Sequence, residues 1–193
     1  MNSLPLQRPL ARRISLGRFG VAIVGVALGF VFQGCAAQTS ARQLDLFVRT
    51  APLPRLVPAG EVGAAAERQA ATREGDFALR GVGRSMEPVY RAGTAVVVHP
   101  TAMHMLRRGM AVVYRSPEGH YVAHMLMQKT RDGWLAQGLN NADPDAALVT
   151  ADNLVGIVRH AFVAHDTEFP AEIASRIAMR AALEEGKPMA LVH

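Results

Sequence analysis

One cysteine, Cys35, and one tryptophan, Trp134, are all the chain has of either. A single thiol excludes an intrachain disulfide, so the folded part must hold together by its core even in an oxidising compartment. No cysteine–histidine cluster with metal-ligand spacing is present, and neither a metal nor an organic cofactor is expected. Aromatics are scarce and nowhere interleave with a basic stripe, which argues against a nucleic-acid partner. No internal repeat is evident, and 193 residues leave room for one small domain. Acidic residues are missing from the first 34 positions altogether.

In that acid-free stretch Arg8, Arg12, Arg13 and Arg18 precede an uninterrupted apolar run over residues 19–32. This is the layout of a secretory n-region and h-region, with the positive end held on the cytoplasmic side. The run is shorter than the roughly 20 residues that cross a bilayer comfortably, although residues 33–37 could extend it to a marginal span. A cleavable signal is the first reading and an uncleaved anchor the second. Phe32-Gln33-Gly34-Cys35 partly matches a bacterial lipobox, so Cys35 is either a lipidation site or an incidental thiol at the end of an anchor. Arg12-Arg13 also faintly resembles a twin-arginine export signal. The formal net charge is +5 and the four leader arginines supply four of it, so the remainder is close to neutral.

Residues 36–76 are rich in Ala, Pro, Arg and Gln, and Pro52, Pro54 and Pro58 would interrupt a helix. We read them as a flexible linker with at most a short helix over residues 64–71. From Phe77 the pattern changes. Valine-rich runs recur at residues 95–99, 110–114, 121–128, 133–137 and 154–163, bounded by Gly, Pro, Asn and Asp, which indicates a mainly β domain over 77–164. The tail, residues 165–193, turns to helical spacing from Pro170, with Ile173, Ile177 and Met179, and stops at Gly186-Lys187-Pro188.

Within the β region the most informative series begins at Gly83-Arg84-Ser85-Met86-Glu87-Pro88 and continues into Val96-Val97-Val98. Tyr121-Val122-Ala123-His124 follows, then Gly138-Leu139-Asn140-Asn141-Ala142-Asp143-Pro144-Asp145, then Asn153-Leu154-Val155-Gly156-Ile157-Val158. In this order the motifs resemble the signal peptidase I family and its relatives, the self-cleaving SOS and phage repressors. The resemblance covers about residues 77–160 and implies a small signal-peptidase or repressor-peptidase-like β domain carrying a serine endopeptidase site.

Ser85 is the nucleophile the resemblance implies. A serine hydroxyl needs a positioned base to take its proton during attack. Bacterial members usually supply a lysine, whereas endoplasmic-reticulum and archaeal-like members supply a histidine, and here His124 stands in that slot. Imidazole suits the role because it ordinarily titrates near ~6.5. Lys129 is the competing base, but five positions on it would face the other way if the strand stays regular. His104 and His120 have no motif support and read as surface residues. Matching the histidine-type pattern residue by residue places Asp145 on the acid that orients the base, as in serine–histidine–aspartate sites. Asp143 has no counterpart, and both acids could instead simply build a turn.

Three Gly-Asp pairs expected of the family read Gly93-Thr94, Gly109-Met110 and Gly138-Leu139 here. The last removes an acid near the implied site. The reading is a membrane-tethered serine endopeptidase on the outer side of a bacterial inner membrane, with a peptide or protein as its substrate. Two others remain open: a peptidase cutting itself near Ala59-Gly60, and a non-catalytic, peptide-binding envelope lipoprotein. Oligomeric state is not legible.

Overall fold

The computed structural model of the protein describes residues 41–184. The leader, its apolar run, Cys35 and the Gly186-Lys187-Pro188 stop lie outside the described residues. Among those described, no helix is long and apolar enough to cross a membrane.

The domain is mainly β. Its strands are β1 (Pro54–Val57), β2 (Phe77–Arg80), β3 (Ala95–His99), β4 (Ala111–Arg115), β5 (Tyr121–Lys129), β6 (Trp134–Gln137) and β7 (Leu154–Ala164). Three α-helices accompany them among the described residues: α1 over residues 41–50, α2 (Val62–Ala70) and α3 (Ala171–Glu184). The sheet runs in the order β2-β3-β7-β4-β5-β6, with β1 also alongside β7. Among the described residues the β1–β7 pairing is parallel and the other strand pairings are antiparallel. The long β7 serves β4 with its first half and β1 with its second, while β3 lies along its other edge. Irregular registers at Val97/Val98 and Val113/Tyr114 mark where β3 and β4 bend against β7.

Alternation along these strands divides the apolar residues into layers. Val96 and Val98 of β3 join Val113, Met125 and the α1 residues Phe47 and Val48 in the main core, which Ile173 and Ile177 of α3 also enter. Ala95 and Val97 face α2, where Ala66 is fully buried. Val112, Leu126, Trp134 and Ala136 form a third cluster across β4, β5 and β6.

The flexible linker expected over residues 36–76 is not what the structure shows from residue 41 onward. Leu44, Phe47, Val48 and Ala51 repeat at helical spacing, and Phe47 is fully buried, edge-to-face with Tyr90 at 5.3 Å between ring centroids. Burying such a ring contributes about 2–3 kcal/mol, which a free tether would forgo. Pro52, Pro54 and Pro58 lie between short elements instead of breaking one. Pro54 is the first residue of β1, a position that tolerates its missing N–H. The folded domain therefore starts well before residue 77.

Candidate active site

Ser85 sits in a turn pinned from below and from the side. Met86, Val89 and Tyr90, all buried, drop from it into the main core, and the Tyr90 hydroxyl donates to the Pro52 carbonyl oxygen at 2.7 Å. Burial pushes the Tyr90 phenol pKa well above its ordinary value. Across the turn's exposed side, the Arg84 guanidinium pairs with both oxygens of Glu87 at 3.1 and 3.3 Å.

The segment after β6 closes against this turn. The Asn140 amide donates to the Ser85 carbonyl oxygen at 2.8 Å, and its side chain donates to the Arg84 carbonyl oxygen. Gly138 makes the approach possible, because a Cβ there would lie 2.6 Å from the Ser85 carbonyl oxygen. The same segment is braced from behind. Gln137, buried, donates to the carbonyl oxygens of Asn141 and Ala142 and accepts from Gln43 of α1. Leu139, where the family pattern has an acid, packs its partly buried side chain on the main core, so this departure is accommodated as an apolar contact.

These supports bring Ser85, His124 and Asp145 together. Nε2 of His124 lies 2.9 Å from the Ser85 hydroxyl oxygen, and its Nδ1 lies 2.7 and 2.9 Å from the two carboxylate oxygens of Asp145. His124 occupies the point on β5 just before pairing with β6 begins at Met125, and the Asp145 amide is held by the Ala136 carbonyl oxygen of β6 at 2.9 Å. The imidazole is nearly enclosed, with 7% of its side chain exposed. Asp143 is exposed and makes no side-chain hydrogen bond among the described residues. Of the two acids, Asp145 is the one at the imidazole.

A fourth residue completes the chain of contacts. The Tyr114 hydroxyl donates to Asp145 at 2.7 Å. Burial foremost, then the hydrogen bond to Asp145 and its negative charge, push the Tyr114 pKa well up and keep the phenol a donor. Sequence reasoning missed this residue. Counting back across the β4–β5 hairpin would have found it, since Val112 stands opposite His124 and Tyr114, two residues on, shares that face.

Lys129 stays away, though not for the expected reason. A register irregularity between Leu126 and Gln128 undoes simple alternation, and Lys129 ends up opposite Trp134, on the face that carries Leu126. Five residues of strand, about 16 Å, separate it from His124, and it is exposed. His104 and His120 are exposed.

A cleft of about 480 Å³ opens beside Ser85 and His124. One wall is the Tyr121–Ala123 part of β5, unpaired by β6, and the other is the segment from Arg80 to Gly83. Leu79, Val96 and Val113 form its apolar floor. Among the described residues no group of His, Cys, Asp and Glu could hold a metal ion.

A serine beside an imidazole backed by a carboxylate, at the mouth of a cleft between strand edges, is an arrangement suited to peptide hydrolysis. The chain belongs to the Peptidase S24-like family, which it matches over residues 50–158. That match supports the serine-peptidase, self-cleaving branch of the resemblance and does not single out signal peptidase I. It begins within residues 36–76 and takes in β1 and α2. No curated protein matches the chain.

Proposed function

We propose that the protein is a serine endopeptidase in which Ser85 is the nucleophile, His124 the base and Asp145 the residue that orients the base, tethered to the membrane of a bacterial cell envelope by its leader or by a lipid on Cys35. The observation that carries the reading is the 2.9 Å contact between the Ser85 hydroxyl and Nε2 of an imidazole whose other nitrogen meets a carboxylate.

An extended peptide lies in the cleft and pairs with the free edge of β5. The Ser85 oxygen attacks the scissile carbonyl carbon while its proton passes to Nε2 of His124. Asp145 accepts from Nδ1–H, fixing the tautomer and stabilising the imidazolium, and Tyr114 holds the carboxylate in place. The Ser85 amide, which donates no backbone hydrogen bond among the described residues, is a donor for the developing oxyanion. Nε2 returns the proton to the departing amine, leaving an ester on Ser85. Water, deprotonated by the same imidazole, then releases the acid and restores the serine.

The test is cleavage of a peptide library by the full chain. Wild type and Lys129→Ala should cut, whereas Ser85→Ala and His124→Ala should not. An active His124→Ala protein beside a dead Lys129→Ala protein would overturn the assignment of the base.

Family membership also supports self-cleavage as a second reading. Ala59 and Gly60 form a 3-10 turn between β1, fixed on β7, and α2, packed on β3. Cutting there requires that segment to leave the sheet and extend. A fragment beginning at Gly60, absent from Ser85→Ala protein, would establish this reading.

A further inference from the structure

The cleft beside Ser85 is electrostatically one-sided. Along β5 it runs from His124 back to Tyr121, about 10 Å at ~3.3 Å per residue. The opposite wall runs from Ser85 back to Arg80. Arg80 and Arg91 both line the cleft, and no acidic side chain does. Arg80 is exposed and has no carboxylate at ion-pair distance among the described residues. Arg91 is partly exposed, its one side-chain hydrogen bond goes to a neutral acceptor, the Glu168 carbonyl oxygen at 2.6 Å, and it has no carboxylate at ion-pair distance among the described residues, although it feels the charge of Glu87. The nearby Glu87 carboxylate is taken up by Arg84.

A further donor lines the same cleft. Thr94 is 2% exposed, and its hydroxyl has no hydrogen-bond partner among the described residues. A buried polar group without a partner is costly, and a shift of the cleft wall that let a polar ligand atom reach it would remove that cost. The apolar floor lowers the local dielectric, so a carboxylate brought in beside the arginines is held more strongly than on an open surface.

We propose that the cleft selects peptides carrying an Asp or Glu side chain about three residues from the scissile bond, with Arg80 and Arg91 as the specificity-determining residues. This rests on the endopeptidase reading of Ser85. The exposed arginines also steer acidic segments toward the cleft from a distance, an effect that salt suppresses.

Matched peptides with Glu or its neutral isostere Gln at each position in turn test the inference. Cleavage is measured with the full wild-type chain and binding with full-length Ser85→Ala protein, by fluorescence anisotropy. At one position Glu should be favoured over Gln by about five- to tenfold at low salt. The ratio should shrink toward one in ~1 M salt, where the Debye length is about 3 Å. It should fall to near one in Arg80→Gln/Arg91→Gln protein, and Arg80→Glu/Arg91→Glu should favour Lys over Glu instead. A merely structural role would weaken Glu and Gln peptides alike. A wild-type ratio below twofold at every position, or one that survives Arg80→Gln/Arg91→Gln, overturns the proposal. Discrimination in binding without any cleavage would keep Arg80 and Arg91 as the residues that select acidic peptides and sink the endopeptidase reading together with the placement relative to a scissile bond. Cleavage without discrimination would sink the selectivity and keep the endopeptidase. Neither cleavage nor binding would sink both.

Discussion

Among the described residues two histidine–aspartate pairs occur, and one of them stands beside a serine. In the cleft, His124 presents Nδ1 to Asp145 and Nε2 to the Ser85 hydroxyl. At the far end of β3, His99 presents Nδ1 to Asp76 at 2.5 Å, while its Nε2 meets the guanidinium of Arg73 at 3.5 Å. The second pair has the same carboxylate partner and an even more deeply buried acid, with 3% of the Asp76 side chain exposed. What differs is the group on the outer nitrogen. A hydroxyl there can be deprotonated by the imidazole, whereas a guanidinium offers no nucleophile. A buried histidine–carboxylate pair is thus not a site in itself, and what sets the cleft pair apart is the Ser85 turn and the segment that holds it.

The sharpest way to break the comparison is to disable each pair in turn. Asp145→Asn should lower turnover on the order of 10³-fold with the protein still folded, because the imidazole loses its orienting charge. An unchanged rate would reduce Asp145 to a turn residue. Tyr114→Phe should have a smaller effect, about tenfold on kcat, since one hydrogen bond to a charged group is lost. A change confined to KM would contradict the role given to Tyr114.

His99→Ala should leave turnover unchanged and cost about 1–3 kcal/mol of stability, because buried Asp76 loses its partner. Urea denaturation alongside a turnover assay separates the two effects, and a loss of turnover in a stably folded His99→Ala protein would erase the distinction between the pairs.

The smallest effect concerns the two buried tyrosines. Burial holds the Tyr90 and Tyr114 phenols protonated to higher pH than in the unfolded chain, where tyrosine ionises near ~10. Above that value the unfolded state binds fewer protons than the native one, so stability should fall as pH rises. Tyr114→Phe should flatten the fall, and an identical alkaline slope in both proteins would contradict it.

Much of the β domain was legible because its strands announce themselves locally. The apolar runs of β3, β4 and β5 are short and bounded by turn residues, and the C-terminal helix carries its apolar spacing in Ile173 and Ile177. Ser85, His124 and Asp145 could be proposed because each lies in a contiguous motif. Tyr114 lies in none and acts across a strand pairing that had to be built first. The segment from residue 41 to 76 was misread for a similar reason. Proline content suggested a tether, but β1 has only four residues and its partner in β7 lies some hundred positions away, so its stabilising contacts are invisible to a local pattern. Helical spacing at Leu44, Phe47, Val48 and Ala51 was there to be seen, and composition outweighed it. Lys129 shows the converse, since an irregular register defeated an argument from alternation that was locally sound.

The most direct test of the central claim needs no knowledge of the substrate. A serine-reactive fluorophosphonate is incubated with the full-length protein, and adducts are located by mass spectrometry. The account predicts one adduct, on Ser85, that forms at least about a hundredfold more slowly in His124→Ala protein and at the wild-type rate in His99→Ala protein. No adduct on Ser85 in the wild type, or one that forms equally fast without His124, would contradict it.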